Sequence, residues 1–243
     1  MMGARRYGYG KLFQPASGGL LIERKARRAL SFCLHKLGLS EVPLPIPVDR
    51  WIETAFDIRF GIADLSHIGS RVLGASFLRD REILISDKAL FNEGRYRFTC
   101  AHELAHFRLH MHIRDQFSDD EEPEIVFDDE IERQADRFAA AFLMPVNLFE
   151  REVLLIAQGI GADPEWCLSE LMMASDQSLK LWQNIFVPAL SRSFGVSKTA
   201  ALIRAHSLEL IYGEPRTLIP TRFFYDLMPK PIPPVAEPRA GGA

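Results

Sequence analysis

From Leu20 to Leu39 apolar side chains recur at Leu21, Ala26, Ala29, Leu30, Cys33, Leu34 and Leu37, the spacing of one helix face, and Gly38 is placed to stop the helix. Pro43, Pro45 and Pro47 then impose an extended connector, because proline fixes φ and removes a donor, before a second short helix over Val48 to Phe56. Between Phe56 and Ser86 the period drops to two. The runs FDIRFGI, VLGASFL and EILIS, the last two joined by a polar turn at Arg79 to Glu82, predict a small antiparallel sheet. Helical spacing returns from Glu93 to about His110, with Asn92 as N-cap and Phe98, Ala101, Ala105 and Leu109 on one buried face. It returns again from Glu130 to Met144, where Ile131, Ala135, Phe138, Ala139 and Phe142 share a face and Pro145 blocks continuation. The stretch between these two helices, Ile113 to Asp129, holds Asp119, Asp120, Glu121, Glu122 and Glu124 and reads as a solvated loop. Beyond Pro145 the helical pattern continues to about Tyr212.

These elements predict an α+β fold, mostly helical, with a small antiparallel sheet packed on a pair of helices and a helical C-terminal part. Residues 1–19, rich in Gly, Tyr and Arg without periodicity, and residues 228–243, which hold five of the fifteen prolines, read as tails. Residues 20–150 are expected to form the core and 151–227 a helical subdomain. Composition narrows the classes further. With 47% hydrophobic and 25% charged residues the chain can bury one sizeable core, which excludes disorder for its bulk. A net charge of −3 exerts no global pull on phosphate backbones or anionic membranes, so a dedicated nucleic-acid binder is disfavoured. Cys33, Cys100 and Cys167 are odd in number and contain no C-x-x-C pair, which fits a reducing cytoplasm and no thiolate zinc site. No apolar run approaches the roughly 18 residues of a membrane span, and the N-terminus lacks an apolar signal segment. A cytoplasmic protein with no membrane partner is therefore expected.

The chemistry lies on the Glu93 to His110 helix, where His102-Glu103-Leu104-Ala105-His106 spells H-E-x-x-H. Residues four apart sit one above the other on a helix, so both imidazoles can converge on one ion. Glu103, one residue on from His102, is turned toward the side where an attacking water would sit, the place of a general base rather than of a ligand. Two neutral imidazoles leave zinc under-coordinated, so a third protein ligand must come from elsewhere. His112 stands at the spacing of the longer motif in which a glycine turns the chain back to the metal, but Leu109 occupies that glycine position. Glu132, on the next helix, is followed on the same face by Asp136, so one would bind the metal and the other would accept a hydrogen bond from a ligand histidine and fix its tautomer. Read blandly, the two histidines are exposed helix residues, Glu132 is a solvated charge and Asp136 pairs with Arg133 or Arg137. Close approach permitted by Ala101 and Ala105, together with the Glu-x-x-x-Asp helix, favours the metal.

The runs Arg97-Phe98-Thr99-Cys100-Ala101-His102-Glu103-Leu104-Ala105-His106 and Glu132-Arg133-Gln134-Ala135-Asp136-Arg137-Phe138-Ala139, the latter continuing to Leu143-Met144-Pro145, resemble the ImmA/IrrE family of zinc metallopeptidases. The resemblance covers about Val48 to Pro145 well, and Leu190 to Ile211 is similar to the helical end of such domains. It implies a gluzincin-like site on a zincin-like pair of helices, with Zn2+ held by His102, His106 and Glu132 and with Glu103 as catalytic base. It also implies a protein substrate, a helix-turn-helix transcriptional repressor or antitoxin. Two further readings concern partners. Glu82 to Ser86 is either the sheet edge on which a substrate strand pairs or an ordinary interior strand with alternating Ile83 and Ile85. Arg192 to Leu210, with its Gly195-Val196-Ser197 turn, is superficially a helix-turn-helix, which would suit a non-enzymatic regulator with a structural metal. Its second helix, however, offers few phosphate-binding groups beyond Lys198 and Arg204, with Glu209 opposing them, and a structural metal leaves Glu103 without a purpose.

Overall fold

A computed structural model describes residues 20–112, 116–119, 128–173 and 175–208; the expected tails, 1–19 and 228–243, lie outside the described residues. The elements follow in the order α1 (Leu20–Leu37), α2 (Val48–Thr54), β1 (Arg59–Ala63), β2 (Gly74–Phe77), β3 (Glu82–Ser86), α3 (Glu93–Leu109), β4 (Gln116–Asp119), α4 (Asp128–Leu143), α5 (Val146–Gly159), α6 (Pro164–Leu171), α7 (Asp176–Leu181), α8 (Val187–Phe194) and α9 (Lys198–Ser207). The fold is α+β and mostly helical, as expected. Local signals act where they were read. Asn92 caps α3 by accepting from the Arg95 N–H at 2.9 Å, and Pro145 separates α4 from α5.

The sheet departs from the expected antiparallel arrangement. Its order is β1-β3-β2-β4, with β2 antiparallel to β3 and β4 but β1 parallel to β3. The cause is the connector 64–73, long enough to carry the chain past the neighbouring strand position, after which the short turn 78–81 brings β3 back into the gap. β3 is thus an interior strand, its backbone paired on both sides, and no substrate strand can add to it. Part of the stretch expected as a solvated loop, Gln116–Asp119, is instead the edge strand β4, which needs only the backbone groups of β2 as partners and no apolar alternation. The pleat decides what β2 shows to the helices. Gly74 and Ser76 share a face with Ile85 and Ile83, while Ala75 and Leu84 face the other way, under Leu65, Ile68 and Val72 of the connector.

The helix α3 lies between the sheet and α4. One buried face was expected, but every residue from Thr99 to Phe107 is buried, whereas Phe98 and Leu109 are only half-buried. Helix α4 turns Ala135, Phe138, Ala139 and Phe142 inward, and with α3 it forms the principal helix pair. Buried apolar residues from Ile22 to Leu208 join in one cluster, so α5 to α9 extend the same core. Two polar groups within it are informative. Arg204 of α9, 2% exposed, donates to the Met144 carbonyl at 2.9 Å and forms a two-point pair with Glu23 of α1. Glu150 of α5 is 4% exposed, its Oε1 finds no hydrogen-bond partner among the described residues, and burial pushes its carboxyl from 4.5 up to about 7.

Both groups give measurable expectations. Arg204→Leu should cost about 3–5 kcal/mol in a urea unfolding experiment, because Glu23 is left without its buried partner; the double variant with Glu23→Leu should recover part of that loss. For Glu150, the folded chain retains between pH 4.5 and 7 a proton that the unfolded chain releases, so this group's contribution to stability falls as pH rises through that window and stays low above it. Glu150→Gln should therefore exceed the wild type by about 1 kcal/mol at pH 5 and about 3 kcal/mol at pH 8.

Candidate metal centre

Helical geometry stacks His102 and His106 one turn apart on α3, and α4 brings Glu132 against them. His102 Nε2 lies 2.9 Å from Glu132 Oε2 and 3.2 Å from His106 Nε2, and His106 Nε2 lies 3.8 Å from the same carboxylate oxygen. One ligating atom from each of the three residues falls within 4.8 Å of the others. On the other side of its ring, His102 Nδ1 lies 2.9 Å from Asp136 Oδ1. A carboxylate only accepts, so Nδ1 donates to Asp136, the arrangement that leaves Nε2 as the ring's coordinating nitrogen when a metal is bound. Burial, with His102 and His110 adding to it, holds His106 well below the ordinary imidazole value, which keeps that ring neutral.

These residues fit a metal ion by the chemistry of the donor set. Two imidazole nitrogens and one carboxylate oxygen gathered at these separations are a donor set that suits a borderline divalent ion. The structure gathers Glu132, and not His112, with the two histidines. Helix α3 stops at Leu109, and His112 lies exposed in the turn beyond it.

Glu103 is fully buried at the contact of α3 with β2. Ser76 Oγ lies 2.5 Å from its Oε2 and 3.0 Å from its main-chain oxygen, so β2 fixes the orientation of the carboxylate. Gly74, two residues earlier on the same face, has no room for a side chain: a Cβ there would lie 2.6 Å from Glu103 Oε1 and 2.7 Å from Thr99 Cγ2. Neither Ser76 nor Gly74 was singled out from the sequence. Their only signal is the pair of small residues at alternate positions of VLGASFL, which marks close approach once the facing element is known. His110, whose place one turn beyond His106 suits a residue that supports the site or caps the helix rather than a ligand, is 1% exposed, and its Nδ1 lies 3.1 Å from His106 Nδ1.

The helix-turn-helix resemblance of the last two helices takes on a different meaning in the fold. Gly195, at φ +60°, ends α8 with its carbonyl 2.5 Å from Arg97 Nη1 of α3, and Arg204, one of two cations named for phosphate contact, is buried. The turn and the second helix are thus docked on the rest of the chain. Among the described residues, no helix is long and apolar enough to cross a membrane. The family model for the IrrE N-terminal-like domain of the M78 peptidases matches residues 54–206, a span that runs from the end of α2 into α9. None of the curated proteins compared with the chain matches it.

The packing at Gly74 yields a direct test. Gly74→Ala forces its methyl into Glu103 and Thr99 and should destabilise the chain by about 1–3 kcal/mol, read as a lowered urea midpoint at unchanged slope. An unaltered midpoint would show that Glu103 is not wedged against β2.

Proposed function

The chain belongs to the IrrE N-terminal-like family of M78 peptidases, and on that footing we propose that it is a zinc-dependent endopeptidase acting on one intracellular protein, a helix-turn-helix transcriptional repressor or antitoxin. The observation that supports the metal chemistry is the convergence of His102 Nε2, His106 Nε2 and Glu132 Oε2, with Asp136 placed behind His102. The substrate class follows from the family resemblance of the two helices, and the cytoplasm is where such a substrate resides.

Zinc held by His102, His106 and Glu132 would supply Lewis acidity toward the scissile carbonyl and lower the pKa of the attacking water toward about 7. Glu103 takes the proton of that water and passes it to the leaving amine, the role its position beside His102 suits. Ser76 anchors Oε2 of this base to β2, which spares the carboxylate from reorienting between the two proton transfers. Asp136 keeps the His102 proton on Nδ1 and so leaves Nε2 for coordination. Glu132 adds a negative charge that offsets part of the ion's.

Four substitutions separate these roles. Glu103→Gln should keep metal content and fold while cleavage falls by about two to four orders of magnitude. Glu132→Ala should strip the metal, Asp136→Ala should weaken its binding by roughly ten- to a hundredfold, and His112→Ala should leave it bound, all read by elemental analysis and zinc titration of the purified protein. Cleavage is followed by co-expression with candidate helix-turn-helix repressors and antitoxins, read as a metal-dependent fragment. Metal lost in His112→Ala but kept in Glu132→Ala would overturn the ligand assignment, and undiminished cleavage by Glu103→Gln would remove that residue from the mechanism.

A further inference from the structure

The second histidine of the pair is held from behind by a series of side chains that runs from α3 to α4. His106 Nδ1 lies 3.1 Å from His110 Nδ1, one turn further along α3, and His110 Nε2 lies 3.4 Å from Gln134 Oε1 on α4. Gln134 Nε2 donates to Glu130 Oε1 at 3.2 Å, and Arg133 Nε donates to the other oxygen of Glu130 at 3.2 Å. His106 and His110 are both buried, at 0% and 1% exposure.

Each link fixes the next. A carboxylate only accepts, so Gln134 turns its amino group to Glu130 and its carbonyl to His110. Facing a carbonyl, His110 Nε2 carries the hydrogen, and the neutral ring then keeps Nδ1 as an acceptor. Two ring nitrogens 3.1 Å apart share one proton, which must therefore belong to His106 Nδ1. His106 Nε2, on the opposite side of the ring, is left bare toward His102 and Glu132.

We propose that His110, Gln134 and Glu130 form a positioning relay that holds His106 in its Nδ1-protonated tautomer, with Nε2 offered to the metal. The relay rests on the metal-site reading for its purpose but not for its geometry. It performs for His106, through two intermediates, what Asp136 performs for His102 directly. It also explains why His110 is not itself a ligand: one of its nitrogens is engaged by His106 and the other by Gln134. Helix α4 thus carries Glu132, the orienting carboxylate of His102 and the far end of the relay to His106, with Glu130 and Gln134 four residues apart as are Glu132 and Asp136.

Two measurements on the full chain test the relay. In metal-free, 15N-histidine-labelled protein at pH 7.5, two-bond proton–nitrogen correlation spectra should show His106 protonated at Nδ1 and His110 at Nε2; the opposite tautomer in either ring overturns the proposal. With Zn2+ alone as probe, in competition with a chromophoric chelator, His110→Leu should bind about ten- to a hundredfold more weakly than wild type. His110→Gln keeps an acceptor for His106 and a donor for Gln134, so it should recover most of that affinity, and Gln134→Leu should lose about three- to tenfold. Unchanged Zn2+ affinity in His110→Leu overturns the relay, as does equal loss in His110→Leu and His110→Gln with Gln134→Leu at the wild-type value. If the wild type does not bind Zn2+, the metal-site reading falls, and the tautomers alone decide the relay.

Discussion

A helix that carries two imidazoles and a carboxylate on consecutive turns is withdrawn from water along nine residues, Thr99 to Phe107, and that burial sets the terms for the elements around it. Buried polar groups cost several kcal/mol each unless they are hydrogen-bonded or coordinated, so each face of α3 needs an answering surface. β2 answers Glu103 with the Ser76 hydroxyl and with a glycine that gives it room. α4 answers His102 with Glu132 and Asp136, and meets His106 through His110 and Gln134. The contact between α3 and α4 is thus polar at the candidate site, while the buried alanines and phenylalanines of both helices belong to the common core.

The C-terminal helices serve the same end by position. The turn at Gly195 holds Arg97 near the start of α3, and a side chain at 195 would strike that guanidinium, with its Cβ 2.4 Å from Nη1. Arg204 ties α9 to the carbonyl that ends the α4 region and to Glu23 of α1, so three segments distant in sequence are fixed to one another by a single guanidinium. A pair of helices that resembles a nucleic-acid reader is therefore occupied internally, its would-be phosphate ligand buried in an ion pair.

The sequence by itself determined what depends on neighbours within one or two helical turns. Asn92 capping α3, the stops at Gly38 and Pro145, the stacking of His102 over His106 and that of Glu132 with Asp136 all follow from backbone geometry that holds wherever the helix is placed. That His112 would not stand beside the two histidines was legible for the same reason, since the missing glycine turn at Leu109 is a local fact. Only the tertiary structure decided the strand order, because the direction in which β1 joins β3 depends on how far the connector 64–73 carries the chain. It alone decided that QFSD becomes an edge strand, that small residues on β2 meet Glu103, that Gln134 faces His110 and that Arg204 finds Glu23 across most of the chain. Such contacts depend on which faces are pressed together in the core, and side-chain spacing along one element does not carry that information.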